Sequence, residues 1–148
     1  MAIVKTDVPM TYLRCEQTIL ELVKAYPFLR TEVLTETAQG RNLRTLVIGN
    51  GPRKVIYSAA WHANEWITTP VILKFTEELA QAIRTDGRVY GVPGRTIARY
   101  TTIHMVPMVD PDGVDLVTGA IQPGTLAYEQ AIRLSENYPS IPFPDGWK

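Results

Sequence analysis

A run of strand-forming residues, Val55-Ile56-Tyr57-Ser58-Ala59-Ala60, feeds through a short polar link into a long helix opened by Thr68-Thr69-Pro70. The helical pattern covers residues 69–84. Ile72, Phe75, Leu79 and Ile83 lie on one face, while Glu77, Glu78 and Gln81 lie largely on the other. The strand itself reads as short and buried. A second strand-like stretch follows at residues 100–109. Strands that alternate with amphipathic helices bury their apolar side chains in a layered α/β fold, and this alternation fixes the class.

The rest of the chain extends the pattern. Tyr12, Cys15, Ile19, Leu22 and Tyr26 recur at helical spacing, with Thr11 as N-cap and Pro27 as stop. Residues 30–37 and 43–48 read as two strands joined by the turn-forming Ala38-Gln39-Gly40-Arg41-Asn42, which makes them a hairpin. Asn50-Gly51-Pro52 breaks the chain before the 55–60 strand. Residues 86–94 read as a Gly/Pro-punctuated loop, 119–124 as a flexible loop, 126–138 as an amphipathic helix, and 139–146 as proline-rich coil. No repeat or low-complexity segment interrupts the chain, and its length of 148 residues with 45% hydrophobic content suffices for one domain with a core.

Fifteen basic residues balance fifteen acidic ones without a basic run, which argues against nucleic acid or an anionic membrane surface as partner. No stretch approaches the ~20 apolar residues of a membrane span. The first residues lack the apolar core of a signal segment, so a cytoplasmic location is expected. Cys15 is the single cysteine and sits on the apolar helix face, where it is expected to act as a small core residue.

The link between the 55–60 strand and its helix carries the chemistry. His62 and Glu65 are three apart, so one turn of helix brings an imidazole nitrogen and a carboxylate within reach of a single small cation. They sit at the C-terminal end of a strand, where open α/β sheets usually hold ligands. Such a spacing also arises by chance in surface loops, so it gains weight only from its context.

That context resembles a known family. The block from Ser58 to Pro70, with His62, Glu65, Trp66, Ile67 and Thr68 in order, resembles the zinc-binding block of the carboxypeptidase A-like zinc carboxypeptidases. Val106-Pro107-Met108-Val109-Asp110-Pro111-Asp112-Gly113 resembles their strand-and-turn segment ending N-P-D-G, with Asp110 in place of the usual Asn. The wording of both blocks, the stretch Asp112 to Gly119 and the closing Gly146-Trp147-Lys148 is most similar to the bacterial γ-D-glutamyl-L-diamino acid endopeptidases. The likeness runs from about Val8 to Lys148 and covers roughly the first half of the family's catalytic domain.

The resemblance implies a mixed-sheet αβα fold, about half of it present here as a single partial domain. It also implies a Zn²⁺ cofactor held by His62 and Glu65, and a peptide or a cell-wall peptide with γ-D-glutamyl-diamino acid bonds as substrate. Carboxypeptidase A is itself the familiar example of a two-histidine, one-glutamate zinc site that leaves a position open for water. The family's third ligand, its general base, the Asn-Arg pair that grips the substrate carboxylate and the aspartate that orients the first histidine all belong to later sequence. His104, the only other histidine, reads as an ordinary strand residue. Asp110 and Asp112 suit a tight turn. Asp115 belongs to the same block and is given no part in orienting a ligand. Lys148 follows Trp147 where many relatives place an arginine that polarises the scissile carbonyl, an assignment balanced by an ordinary terminal lysine.

With two ligands and no base, the chain alone is expected to be inactive. The leading expectation is therefore the N-terminal part of a zinc metallocarboxypeptidase-like hydrolase, completed by the missing C-terminal half. The alternative is a non-enzymatic half-domain that binds a peptide or partner. A third is a soluble α/β domain whose H-x-x-E is incidental. The strand carrying the motif would keep an open apolar edge, so self-association is also expected.

Overall fold

The computed structural model describes residues 2–144, and Trp147 and Lys148, with the role considered for that lysine, lie outside the described residues. Helix α1 (Tyr12–Ala25) starts where the Thr11 hydroxyl accepts the Arg14 amide at 3.3 Å, and it buries Cys15, Ile19 and Leu22. It ends at Tyr26 because the residue before a proline is pushed out of the helical region. Strands β1 (Arg30–Glu36) and β2 (Asn42–Ile48) form the expected antiparallel hairpin, with a shift in register between Val33 and Thr35.

Strand β3 (Arg53–Ser58) enters helix α2 (Thr68–Thr85) through a single 3₁₀ turn at Ala63–Glu65. Leu73, Thr76, Leu79 and Ala80 form the buried stripe of α2. The chain then makes a minimal antiparallel pair, β4 (Arg88–Val89) with β5 (Val92–Pro93), and a short helix α3 (Gly94–Tyr100) before strand β6 (Thr101–Val106). The 86–94 segment is thus not a featureless loop, and the last strand is shorter than residues 100–109. Seven residues of helix with only Ile97 packed against the core carry no readable apolar stripe, which is why α3 escapes periodicity.

The main sheet has the order β1-β2-β6-β3. Strands β1/β2 and β2/β6 are antiparallel, while β3 and β6 run parallel with Val55 opposite Ile103 and Ile56 opposite His104. The α/β class with a mixed sheet is as expected. The burial of β3 is not. Its only strand neighbour among the described residues is β6, so it is an edge. Ile56 is 72% exposed and Tyr57 48%, although Tyr57 keeps an edge-on contact with Phe75 of α2.

Helix α4 (Pro111–Val117) replaces the expected tight turn. Asp110 caps it by accepting the Gly113 amide at 3.0 Å, and Pro111 takes the first helical position, where its fixed φ and missing N–H suit the role. The same Asp-Pro pair can begin a turn or a helix, and the burial of Pro111 and Val114 decides for the helix. Helix α5 (Leu126–Ser135) starts at Thr125 and stops three residues short of the expected end. The core joins Ile19 and Leu22 of α1, Leu46 and Ile48 of β2, Leu73 and Leu79 of α2, Ile103 and Met105 of β6, and Val114 of α4. No helix among the described residues is long and apolar enough to cross a membrane.

Candidate metal centre

The site grows out of the end of β3. The ladder to β6 continues one step past the strand, with the Ala59 amide donating to Val106 O at 3.0 Å. Ala60 then takes a positive φ of 49°, a conformation that costs an L-residue energy and holds only where neighbours impose it. Here the neighbours are specific. The Ala60 amide donates to the Thr68 hydroxyl at 2.8 Å, and its carbonyl accepts the Asp110 amide at 2.9 Å. This kink turns the chain out of the sheet and sends Trp61 and His62 toward solvent.

The 3₁₀ turn closes with the Glu65 amide donating to His62 O at 3.0 Å. The Thr68 hydroxyl donates to Glu65 O at 2.8 Å, so one side chain ties both ends of the link. The Thr69 hydroxyl, buried at the head of α2, donates to Pro107 O and fixes the helix start against the chain leaving β6. Trp66 packs on the core, whereas Trp61 lies outside and donates its indole N–H to the Ser58 hydroxyl.

His62 Nδ1 and Glu65 Oε1 face each other at 3.1 Å, with side chains 77% and 47% exposed. The hydrogen bond from His62 holds the Glu65 carboxyl below the usual range, outweighing the small opposing effect of burial. Nitrogen and oxygen ligands about 2.0–2.1 Å from a tetrahedral zinc ion are separated by about 3.3 Å. The two donor atoms already stand close to that spacing, and their chemistry, an imidazole nitrogen with a carboxylate oxygen, suits zinc. Among the described residues no three of His, Cys, Asp and Glu converge, so the pair is two-sided at most, and His104 is not drawn to it.

The acidic residues of the 110–115 segment have structural partners. Asp112 pairs with Arg41 Nη1 at 2.8 Å and accepts the Thr37 hydroxyl at 2.9 Å. Asp115 accepts the Tyr12 amide at 2.8 Å and pairs with Arg41 Nε at 3.0 Å. Arg41 is the residue that sequence reasoning passed over, because its partners lie more than 70 positions away and no local pattern signals them. Two cavities lie along α2. One of about 580 Å³ is bordered by Tyr26, Glu77 and Arg88, and a more apolar one of about 560 Å³ by Tyr57, Ile67, Val71 and Phe75. Neither contains His62 or Glu65.

Comparison with known proteins identifies the family. A family model described as zinc carboxypeptidase matches residues 15–138. The γ-D-glutamyl-L-diamino acid endopeptidase 1 of Lysinibacillus sphaericus is 35% identical over 130 residues, which cover 88% of this chain and 32% of that protein. Among solved structures, a metallo-carboxypeptidase from Burkholderia cenocepacia is 26% identical with a TM-score of 0.54, over 72% of this chain and 28% of that one. Thrombin-activatable fibrinolysis inhibitor shares the fold alone, with a TM-score of 0.68 at 13% identity, over 80% of this chain and 30% of its own. The chain spans about a third of the length of the curated relatives it matches.

Proposed function

Because this chain belongs to the zinc carboxypeptidase family, we propose that it is the part of a metallopeptidase domain in which His62 and Glu65 are two protein ligands of a catalytic zinc ion. The observation that carries the reading is the approach of His62 Nδ1 and Glu65 Oε1 to 3.1 Å in open solvent, on a turn braced by Thr68 at both ends. The proposed reaction is hydrolysis of a peptide bond or of the γ-D-glutamyl-L-diamino acid linkage that names the Lysinibacillus sphaericus relative.

Zinc bound there would polarise a carbonyl and bring the pKa of a coordinated water toward ~7. The chain's own residues prepare the place. Ala60 aims the turn outward and Thr68 fixes its two ends. Among the described residues no third donor gathers at the pair, and in this reading the third ligand and the base come from the rest of a family catalytic domain.

The test is reconstitution. The chain joined to the rest of a family catalytic domain should hydrolyse γ-D-glutamyl-diamino acid peptides or remove C-terminal residues, and His62→Ala or Glu65→Gln should abolish turnover. Undiminished turnover in both variants would remove the pair from the mechanism. Turnover by the 148-residue chain alone would contradict the assignment of the third ligand and base elsewhere.

A further inference from the structure

The chain leaving β6 doubles back beside the ligand turn. The Val109 and Asp110 amides donate to the carbonyls of Ala59 and Ala60 at 3.0 and 2.9 Å, laying residues 109–113 along residues 59–63. A Cβ added to Gly113 would first run into the Asp110 carboxylate and would lie 2.9 Å from Ala63 Cβ. Gly113 lies within α4 and has no left-handed φ, so its backbone would accept any residue. A glycine inside a helix weakens it relative to alanine, and one that serves no backbone need points to packing. The missing side chain makes room for Ala63, the residue directly after His62.

Helix α4 has little freedom to retreat from that contact. Arg41 grips it through Asp112 and Asp115, and Asp115 also holds the Tyr12 amide at the start of α1. His62, Asn64 and Glu65 are by contrast exposed. Crowding between Gly113 and Ala63 would therefore displace the ligand turn, where packing is thin, rather than the anchored helix. We propose that Gly113 is a positioning residue for the metal pair: its lack of a side chain sets how deeply the Ala63–Glu65 turn seats on α4 and so where His62 and Glu65 point. This rests on the reading of those two residues as zinc ligands.

The experiment uses the full chain and four variants. Gly113→Ala is expected to lower zinc affinity about 10-fold, in line with the usual cost of disturbing residues that orient ligands, measured by competition with a chromophoric chelator. In the metal-free protein the same variant should speed hydrogen exchange at the Glu65 amide. Gly94→Ala is the control. A Cβ there would sit 2.8 Å from the Ile83 amide nitrogen, an equally tight contact away from the turn, so stability should fall while both readouts stay at wild-type values. Ala63→Gly combined with Gly113→Ala removes the Ala63 contact, leaving only the flexible Asp110 carboxylate to give way, and should recover most of the lost affinity and protection. If Gly113→Ala does not fold, Ala63→Val crowds the same contact from the other side and should give the same two losses. Wild-type affinity and Glu65 exchange in Gly113→Ala, or losses that the double variant leaves unrepaired, would overturn the proposal. A wild type that binds no zinc would instead overturn the ligand reading, while Glu65 exchange would still decide whether Gly113 seats the turn.

Discussion

Replacing Arg41 by Met keeps most of the side-chain volume and removes the charge that joins the hairpin, α1 and α4. The Arg41 side chain is 18% exposed, and its partners Asp112 and Asp115 are 24% and 8% exposed. After the substitution Asp112 keeps the Thr37 hydroxyl and Asp115 keeps the Tyr12 amide, so neither carboxylate is bare. Removing one partner of a fully buried ion pair costs 3–5 kcal/mol, and a hydrogen bond to a charged group is worth roughly 1.5–3 kcal/mol. With partial exposure and residual partners, the expected loss is about 2–3 kcal/mol. At roughly 2–4 °C per kcal/mol for a chain of this size, Tm should fall by about 5–10 °C. Urea unfolding followed by tryptophan fluorescence gives the loss directly, and a cycle with Asp115→Asn should show coupling of at least about 1 kcal/mol. The pair is largely shielded, so ~1 M NaCl should leave most of the difference in place. A loss below about 0.5 kcal/mol, or one erased by salt, would refute the view of Arg41 as a structural hub.

Three further outcomes follow from named contacts. Burial alone would raise the Glu77 carboxyl, but hydrogen bonds from Lys74 at 2.9 Å and the Ile3 amide at 2.6 Å hold it below the usual range. A carboxyl with a lower pKa folded than unfolded adds stability above about pH 4.3 that is lost on acidification. Denaturant titrations from about pH 5 to pH 3 should therefore show a shallower decline for Glu77→Gln than for wild type, and equal slopes would count against the role of Glu77. Burial pushes the Cys15 thiol well above its ordinary value, so thiol reagents at about pH 8 should label it only on unfolding, and its contribution to stability should wane above about pH 8.5. The apolar edge of β3 should drive self-association of the isolated chain, and Ile56→Lys, at a side chain 72% exposed, should shift light scattering toward monomer without loss of stability.

The periodic parts of the fold were legible from the residues. The stripe Cys15, Ile19, Leu22 on α1 and the apolar repeat of α2 reveal helices, although Glu77, read onto the outer face of α2, is buried, and the Gln39-Gly40 turn marks the hairpin. The short helices were not. α3 is too brief to show a stripe, and the start of α4 uses an Asp-Pro pair that serves turns equally well until tertiary burial of Pro111 and Val114 selects the helix. The apolar run in β3 signals burial, yet strand neighbours are a property of the whole sheet, and among the described residues only β6 pairs with it. At the site, His62 and Glu65 could be picked out because their spacing is local. Arg41 and Gly113 could not, because what they do depends on chain segments that meet only in the fold.

The central claim is that His62 and Glu65 together hold zinc, and equilibrium dialysis against dilute zinc followed by metal analysis tests it most directly. Wild type should retain weakly bound, chelator-sensitive zinc, His62→Ala and Glu65→Gln should each lose most of it, and His104→Ala should retain the wild-type amount. Equal zinc in wild type and His62→Ala would contradict the account.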